Sequence, residues 1–497
     1  MVEAWRTGNW VQRHRVQHVC HLLLLVTILS YAALLMTRHG TLDWQGRPLG
    51  TDFSDVYAAG WMANHARAAA AWVWPDHYAV QQALHHSRTV PFYGWHYPPP
   101  FLLLAAPLAR LPYLPALLLW QGATLFGAVM TARRIVPGAG TTLAVLAAPA
   151  TFVCLGHGQN AFLTASLLAG GLWLLDRRPW LAGVMLGCLV YKPQFAVLLP
   201  VILLAYGNPR TFAGAALSAS ALVAVTLAIW GWPVWDAFFQ SLDSTRRIVI
   251  ETGETGWEKI VTTFAAVRSL GGSVPLAYAA QGVSTILAVA AAAIAARWAT
   301  PGVRGALVCG AALLSTPYAL DYDLVLLGGA LCCLVADTRA RGWLSQERSW
   351  LVLAYLTPLF GRQVAGVCSL PLNWVVTLAI CVIALRRAWL LDIRPRRADG
   401  APWRRRTRAA EPIRRPRAYR RRRLSTLQQY VRCAIFALIT RRRRTFVRSR
   451  RGISRWSRSS HEALSRGAPS RLSAADRADL ARQGRTRHHR ADAEIRR

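Results

Sequence analysis

The sequence predicts an all-α protein that crosses a membrane many times. Of its 497 residues, 54% are apolar and only 16% are charged, whereas soluble domains carry about 25% charged residues. The apolar residues form long runs, and arginines mark every second connection between those runs. These three observations predict a bundle of about ten to twelve transmembrane helices, which follows from the length of chain needed to cross a bilayer.

A span needs about 20 apolar residues, or fewer where a bundle encloses the helix. The first run, Val19 to Met36, is predicted to be a span rather than a signal peptide because no small-x-small cleavage site follows it. Residues 98–110 are broken by proline and are predicted to be a re-entrant or interfacial piece. The predicted spans are 18–36, 112–132, 139–155, 160–175, 179–191, 193–206, 211–230, 275–296, 302–318, 320–336, 349–360 and 371–385.

Arginine placement predicts the orientation, because short cytoplasmic loops are enriched in Lys and Arg. If residues 1–17 are cytoplasmic, every even-numbered connection is also inside and carries at least one basic residue. The two long loops, 37–98 and 231–274, are then periplasmic. The stretches 56–71 and 77–84 of the first loop are amphipathic and are predicted to lie at the membrane interface.

The C-terminal region differs in composition from the rest. From Arg386 onward we count 35 arginines and 8 acidic residues, a net of +27 out of +36 for the chain. We predict that 388–497 is a disordered cytoplasmic tail, in which 427–440 forms a short helix on anionic headgroups. Nucleic-acid binding is not expected, since no recognition motif accompanies the charge. A shifted reading frame would also give such a tail.

Five polar segments interrupt the apolar chain, and all of them fall on the predicted outer face. Polar groups in a membrane bundle are costly, so each is a functional candidate. The nine cysteines show no metal-binding spacing, and no metal or cofactor is predicted. We therefore predict one polar cavity at the outer face, formed by residues 51–55, 96–100, 156–160, 191–194 and 318–323.

Each candidate also has a structural explanation. Asp52 and Asp55 could cap the helix that follows them. Asn160, Asp321 and Asp323 could likewise cap the helices that begin next to them. The alternative is chemical: Asp52 is placed to act as a general base.

The cations have the same two interpretations. Lys192 precedes Pro193, where a helix breaks, and could bind a phosphate or extend to the membrane surface. Arg246, Arg247, Lys259 and Arg268 lie in the second long loop, either as an anion site or as solvated charge.

The order of these motifs resembles glycosyltransferase family 87, whose members are bacterial GT-C-fold enzymes that use a polyprenyl-phosphate sugar, typically mannose. The similar features are an outside aspartate after the first span, Tyr97 followed by three prolines, a Gly-Gln-Asn turn, a Lys-Pro-Gln segment and a late aspartate segment. The resemblance covers about residues 20–386 and is strongest at 181–205. It implies a GT-C-like domain over 18–387.

The resemblance also implies residue roles. Asp52 matches the catalytic base, and Lys192 with Gln194 matches a segment that faces the donor phosphate. Gln159 and Asn160 match the turn, and Arg268 matches a second-loop arginine. His157, Tyr97, Asp321, Tyr322 and Asp323 are further candidates for substrate binding. Some relatives carry a histidine where this chain reads Leu320-Asp321-Tyr322-Asp323.

The implied reaction is inverting transfer of a hexose, most typically mannose, from a polyprenyl-phosphate sugar to a lipid or glycan acceptor. It would take place at the periplasmic face of a bacterial inner membrane, with both termini cytoplasmic. The alternative is a multi-pass secondary transporter. Transporters usually show internal repeats, and none is visible here.

Overall fold

The structure, a computed structural model, describes residues 2–394. These residues form helices joined by turns, with isolated β-bridges and no β-strands within that range. The predicted all-α multi-pass membrane fold is thereby confirmed. Most of the predicted tail, 388–497, and the predicted helix 427–440 lie outside the described residues.

Five helices are long and apolar enough to cross a membrane. Two further pairs of helices qualify as bent spans, with bends of 52° and 72°: Ala139–Leu146 with Pro149–His157, and Glu347–Leu359 with Gly361–Cys368. The structure therefore holds five to seven candidate spans by length in its described part. The five long helices are Arg13–Met36, Tyr113–Ile135, Pro209–Trp230, Val274–Trp298 and Leu372–Ile393.

The other predicted spans are helical but shorter than the prediction of ten to twelve full spans requires. A helix of 14 residues rises about 21 Å, whereas the hydrocarbon core is about 30 Å thick. Pro301–Leu314 is buried at all but its first residue, so this short helix lies within the bundle. The shorter apolar helices are Pro99–Leu108, Ala161–Leu174, Pro179–Tyr191, Pro193–Tyr206 and Pro301–Leu314.

The first long loop is packed into the protein more deeply than its predicted amphipathic pattern indicates. Phe53–Asn64 buries nine of its twelve residues and packs against Leu102–Leu108. A Cβ added at Gly60 would overlap the carbonyl of Ala105. Small residues let these two helices approach closely, which the amphipathic pattern does not reveal. The remaining helices of this loop are Ala68–Trp72 and Trp74–Leu84.

The second long loop contains the helices Pro233–Ser244, Thr245–Glu251 and Thr263–Ser269. Between them, Ile260 pairs with Leu320 in an antiparallel bridge. The amide of Asp321 donates to the carbonyl of Lys259 at 2.8 Å. The second loop is thus fixed directly to the late aspartate segment.

The last helix runs beyond its predicted end. Leu372–Ala388 continues as a π-helical turn, Trp389–Ile393, and Asp392 is buried against Arg341 at 2.6 Å. The sequence places the start of the tail at residue 388 because arginines replace the apolar pattern there. The ion pair keeps the next residues in the folded part.

Candidate active site

A left-handed glycine brings the 156–160 turn to the first loop. Pro149–His157 ends at Gly158, whose φ is +64°. A Cβ on Gly158 would lie 2.7 Å from Cβ of Phe53 and 2.8 Å from the carbonyl oxygen of Gly50. Only glycine accepts both this conformation and this contact. As a result, the residues on either side of Gly158 meet the start of the first loop.

Asp52 accepts hydrogen bonds from three side chains at this contact. Gln159 Nε2 donates to its Oδ2 at 2.7 Å, and Thr51 Oγ1 donates to its Oδ1 at 3.2 Å. His157 Nδ1 lies 3.3 Å from the same Oδ1. The Asp52 side chain keeps 19% of its surface exposed. The carboxylate is therefore fixed in orientation while remaining accessible.

These neighbours also set the ionisation of the pair of aspartates. Burial alone would raise the pKa of Asp52, but the charge of His157 and the hydrogen bonds from His157, Gln159 and Thr51 outweigh it and lower that pKa. Burial and the Asp52 charge raise the pKa of Asp55 well above its usual value. Asp52 is thus the more readily ionised member of the pair.

Tyr97 and Asn160 extend the hydrogen bonds from Gln159. The Tyr97 hydroxyl donates to Gln159 Oε1 at 2.8 Å, and the Asn160 amide donates to the same oxygen at 3.3 Å. Asn160 Oδ1 in turn accepts from Lys192 Nζ at 2.8 Å. The helix-capping explanation does not apply to Asn160, because its side chain makes no cap hydrogen bond.

Lys192 sits at the predicted helix break. Cys188–Tyr191 is a 3-10 turn, and Pro193–Ala196 restarts the helix. The ammonium donates to Asp323 Oδ1 at 2.6 Å, and the two side chains are 2% and 1% exposed. We call the connected set the Asp52 cluster. Its members are Thr51, Asp52, Tyr97, His157, Gln159, Asn160, Lys192 and Asp323.

The burial of Lys192 weighs against the prediction that it faces a donor phosphate. Its ammonium is enclosed between Asp323 and Asn160, with Phe195 and Tyr322 rings 5.2 and 5.5 Å from Nζ. An ammonium that already has a carboxylate partner inside the protein offers no charge to an external anion. Lys192 is better described as the residue that holds Asp323 in place.

Asp321 and Tyr322 lie at the edge of the Asp52 cluster. The Tyr322 ring centroid is 5.7 Å from that of His157. Asp321 Oδ2 is 3.8 Å from a guanidinium nitrogen of Arg362, and Asp321 Oδ1 is buried without a hydrogen-bond partner. The histidine that some relatives carry in this segment is absent, and His157 occupies the neighbouring position from another part of the chain.

Capping explains part of the late aspartate segment. Asp323 Oδ2 accepts from the amide of Leu320 at 3.2 Å, so Asp323 both caps its turn and pairs with Lys192. Asp55, predicted as a cap, lies three residues into a helix that begins at Phe53. Its Oδ1 is buried and makes no hydrogen bond.

Two predicted residues, Arg268 and Gln194, are not part of the hydrogen-bonded Asp52 cluster. Arg268 donates to the carbonyl of Gly272 at 2.7 Å and lies over the ring of Trp257 at 4.5 Å. Gln194 is partly exposed on the short helix after Lys192. Arg246 pairs with Asp243 at 2.7 Å, which fits solvated charge.

The sequence reasoning missed Arg362, and it gave no role of their own to Thr51 and His96, which lie in two of the predicted polar segments. His96 Nδ1 lies 2.9 Å from Thr245 Oγ1 and thereby links the two long loops, and burial lowers its pKa to about 4. Thr51 has a positive φ of 21°, which local sequence does not signal. Arg362 follows a predicted span and lies outside all of the predicted polar segments.

No group of three metal-binding side chains occurs within residues 2–394. Residues 95–317 match the family model of glycosyltransferase family 87. No curated protein and no solved structure matches the chain. The matched segment includes Tyr97, the 156–160 turn and Lys192, whereas Asp52 and the 321–323 segment lie outside it. The resemblance noted in the sequence is thereby confirmed over residues 95–317, and this match supports glycosyltransferase activity for the multi-pass membrane protein.

Proposed function

We propose that this glycosyltransferase moves a hexose, with mannose as the first candidate, from a polyprenyl-phosphate sugar to a hydroxyl of a lipid or glycan acceptor. The reaction takes place at the periplasmic face of a bacterial inner membrane, with both termini in the cytoplasm. The observation that carries the proposal is the state of Asp52, an accessible carboxylate oriented by Gln159, Thr51 and His157.

Asp52 takes the proton of the acceptor hydroxyl. The acceptor oxygen then forms a bond to the anomeric carbon while the bond from that carbon to the phosphate oxygen breaks. The electron pair leaves with polyprenyl phosphate. One displacement inverts the anomeric centre. A base must be unprotonated to act, and the lowered pKa of Asp52 meets that condition at neutral pH.

The rest of the Asp52 cluster supports this role by fixing geometry. Gln159 joins Asp52 to Tyr97, and Asn160 joins Gln159 to Lys192 and Asp323. Such a chain holds the carboxylate in one rotamer, and accurate positioning of the reacting groups contributes much of an enzyme's rate.

The test is direct transfer by the purified full chain in lipid nanodiscs. Radiolabelled polyprenyl-phosphate mannose is mixed with candidate lipid and glycan acceptors, and labelled product and released polyprenyl phosphate are measured together. We expect equal amounts of both, with an inverted linkage. Transfer from a nucleotide sugar alone, or product that retains the anomeric configuration, would contradict the proposal.

A further inference from the structure

A glycosyl donor with a phosphate needs a cation that can reach it, and most cations near the Asp52 cluster are already engaged. Lys192 is enclosed by Asp323 and Asn160. Arg268 is held by the Gly272 carbonyl and the Trp257 ring. Lys192 is therefore paired with a carboxylate, whereas Arg268 has a carbonyl and a ring as neighbours and keeps its buried Nε without a hydrogen-bond partner.

Arg362 differs from them in exposure and in partners. Its side chain is 38% exposed, and its contact with a carboxylate is the 3.8 Å approach to Asp321. That separation exceeds hydrogen-bond distance. The pair joins a partly exposed guanidinium to a buried carboxylate, and a second anion that approaches the guanidinium from the exposed side breaks no hydrogen bond between them.

The fold places Arg362 close to the reacting carboxylate. It is the second residue of Gly361–Cys368, directly after the 72° bend. Asp321, its neighbour, adjoins Tyr322, and the Tyr322 ring faces His157 at 5.7 Å. His157 in turn contacts Asp52 at 3.3 Å. A phosphate on Arg362 would therefore lie at the rim of the site that holds the base.

We propose that Arg362 binds the phosphate of the prenyl-phosphate donor, exchanging Asp321 for two phosphate oxygens. This inference rests on the proposed function. A guanidinium presents paired N–H donors that fit a phosphate in a bidentate arrangement. As the sugar–phosphate bond breaks, the same donors stabilise the charge that develops on the leaving phosphate. Asp321, with one oxygen buried and unpaired, keeps the guanidinium at this position when the donor is absent.

The test is binding of three probes to the full chain in nanodiscs: citronellyl phosphate, citronellol and inorganic phosphate. Wild type should bind citronellyl phosphate more tightly than either of the others. Arg362→Gln should weaken binding of citronellyl phosphate by about 10- to 100-fold, the range expected for loss of a charged hydrogen-bonding group. The affinity of Arg362→Lys for citronellyl phosphate should lie between those of wild type and Arg362→Gln, because lysine keeps the charge and loses the paired donors.

Arg246→Gln is the matched control, since Arg246 is an exposed arginine that already pairs with Asp243 and Glu251. It should bind citronellyl phosphate as wild type does. Thermal unfolding shows whether each variant is folded. If Arg362→Gln is unfolded, the affinity of Arg362→Lys for citronellyl phosphate tests the inference instead, and an affinity equal to that of wild type would overturn it.

Unchanged binding of citronellyl phosphate by Arg362→Gln would overturn the inference and leave the proposed function standing. Loss of binding in Arg268→Gln alone would overturn it as well and assign the phosphate to Arg268. Equal affinity for inorganic and citronellyl phosphate would identify a free-anion site and also overturn it. Failure of wild type both to bind citronellyl phosphate and to use a polyprenyl-phosphate sugar would instead contradict the proposed function.

Discussion

Two groups of buried charge differ in how completely their hydrogen bonds are satisfied. The Arg387 network consists of Arg387, Asp337, Glu347, Arg341 and Asp392. Arg387 is fully buried and contacts Asp337 at 2.5 Å and both oxygens of Glu347 at 2.7 and 2.9 Å. Arg341 bridges Asp337 and Asp392 at 2.7 and 2.6 Å. None of these side chains has a buried polar atom without a partner.

The Asp52 cluster and its edge are only partly satisfied. Asp52 and His157 keep 19% and 24% of their side-chain surface exposed. Asn160 Nδ2 and Asp321 Oδ1 are buried without partners, and Arg362 has only the loose contact with Asp321. Buried polar groups in native proteins are nearly always paired, so such exceptions call for an explanation.

The difference separates two uses of charge inside a membrane protein. A network whose charges satisfy one another holds helices together and has nothing left for a ligand. A network with unused donors and acceptors at an accessible edge can bind one. The following changes test this distinction.

The largest expected effect is on turnover in Asp52→Asn. Loss of a general base lowers rates by about 10²- to 10⁴-fold, while the amide still fits the contacts with Gln159 and Thr51. Transfer from labelled polyprenyl-phosphate mannose measures the loss. Asp243→Asn, at a carboxylate that is 54% exposed, is the control and should keep full activity. Near-normal turnover in Asp52→Asn would exclude Asp52 as the base.

The lowered pKa of Asp52 predicts the pH dependence of the same reaction. A carboxyl group whose folded-state pKa lies below its unfolded value stays ionised until the pH falls through that lower pKa. The stability from its hydrogen bonds and its capacity as a base are lost together there. Asp52 should therefore cause no decline in rate between pH 7 and about pH 5. Burial alone would lower the pKa of His157, but the charge and hydrogen bond of Asp52 outweigh it and raise that pKa above its ordinary value of 6.5, so a decline centred above pH 6.5 would indicate that His157 is the titrating group.

Arg387→Ala should change stability rather than chemistry. Removing one partner of a buried ion pair costs about 3–5 kcal/mol because the remaining charges stay buried. Here Asp337 and Glu347 would both lose their main partner. Thermal unfolding in detergent should show a large drop in Tm, whereas Asp52→Asn should leave Tm close to that of wild type. If Arg387→Ala were stable but inactive, the Arg387 network would serve the reaction rather than stability, and the distinction between it and the Asp52 cluster would be wrong.

Lys192→Met tests whether the Lys192–Asp323 pair is structural or binds the donor phosphate. If it is structural, the single change lowers stability by about 3–5 kcal/mol, and Lys192→Met with Asp323→Leu recovers most of it, as apolar replacements of buried pairs often do. Measuring Tm of wild type, the single variant and the double variant shows whether the pair is structural. A raised KM for the donor at unchanged Tm would restore the phosphate-binding role that the resemblance implies.

The smallest effects are expected at the C-terminal region. A chain ending after Arg394 should match the full chain in Tm and turnover. A chain ending after Arg387 loses Asp392, the partner of Arg341 and of the Thr300 amide, which should cost about 1–3 kcal/mol. Comparing Tm of the two truncated proteins isolates this contact. Equal Tm values would show that Asp392 adds nothing to the Arg387 network.

The helical membrane architecture and the set of polar segments could be predicted from the amino-acid sequence. Helix positions follow from hydropathy, which depends on local composition, and the predicted spans coincide with observed helices along the described chain. Asp52, Gln159 and Asn160 stand out because polar residues are rare in such a chain.

The partners of those residues were decided only by tertiary structure. Lys192 meets Asp323 across 131 positions, and His157 meets Asp52 across 105. Which charge pairs inside and which stays accessible depends on the packing of distant helices, so Lys192 was expected to bind phosphate and Arg362 was overlooked. Composition reveals where polar groups occur in the chain. Burial and pairing in the folded bundle determine which of them remain free to act.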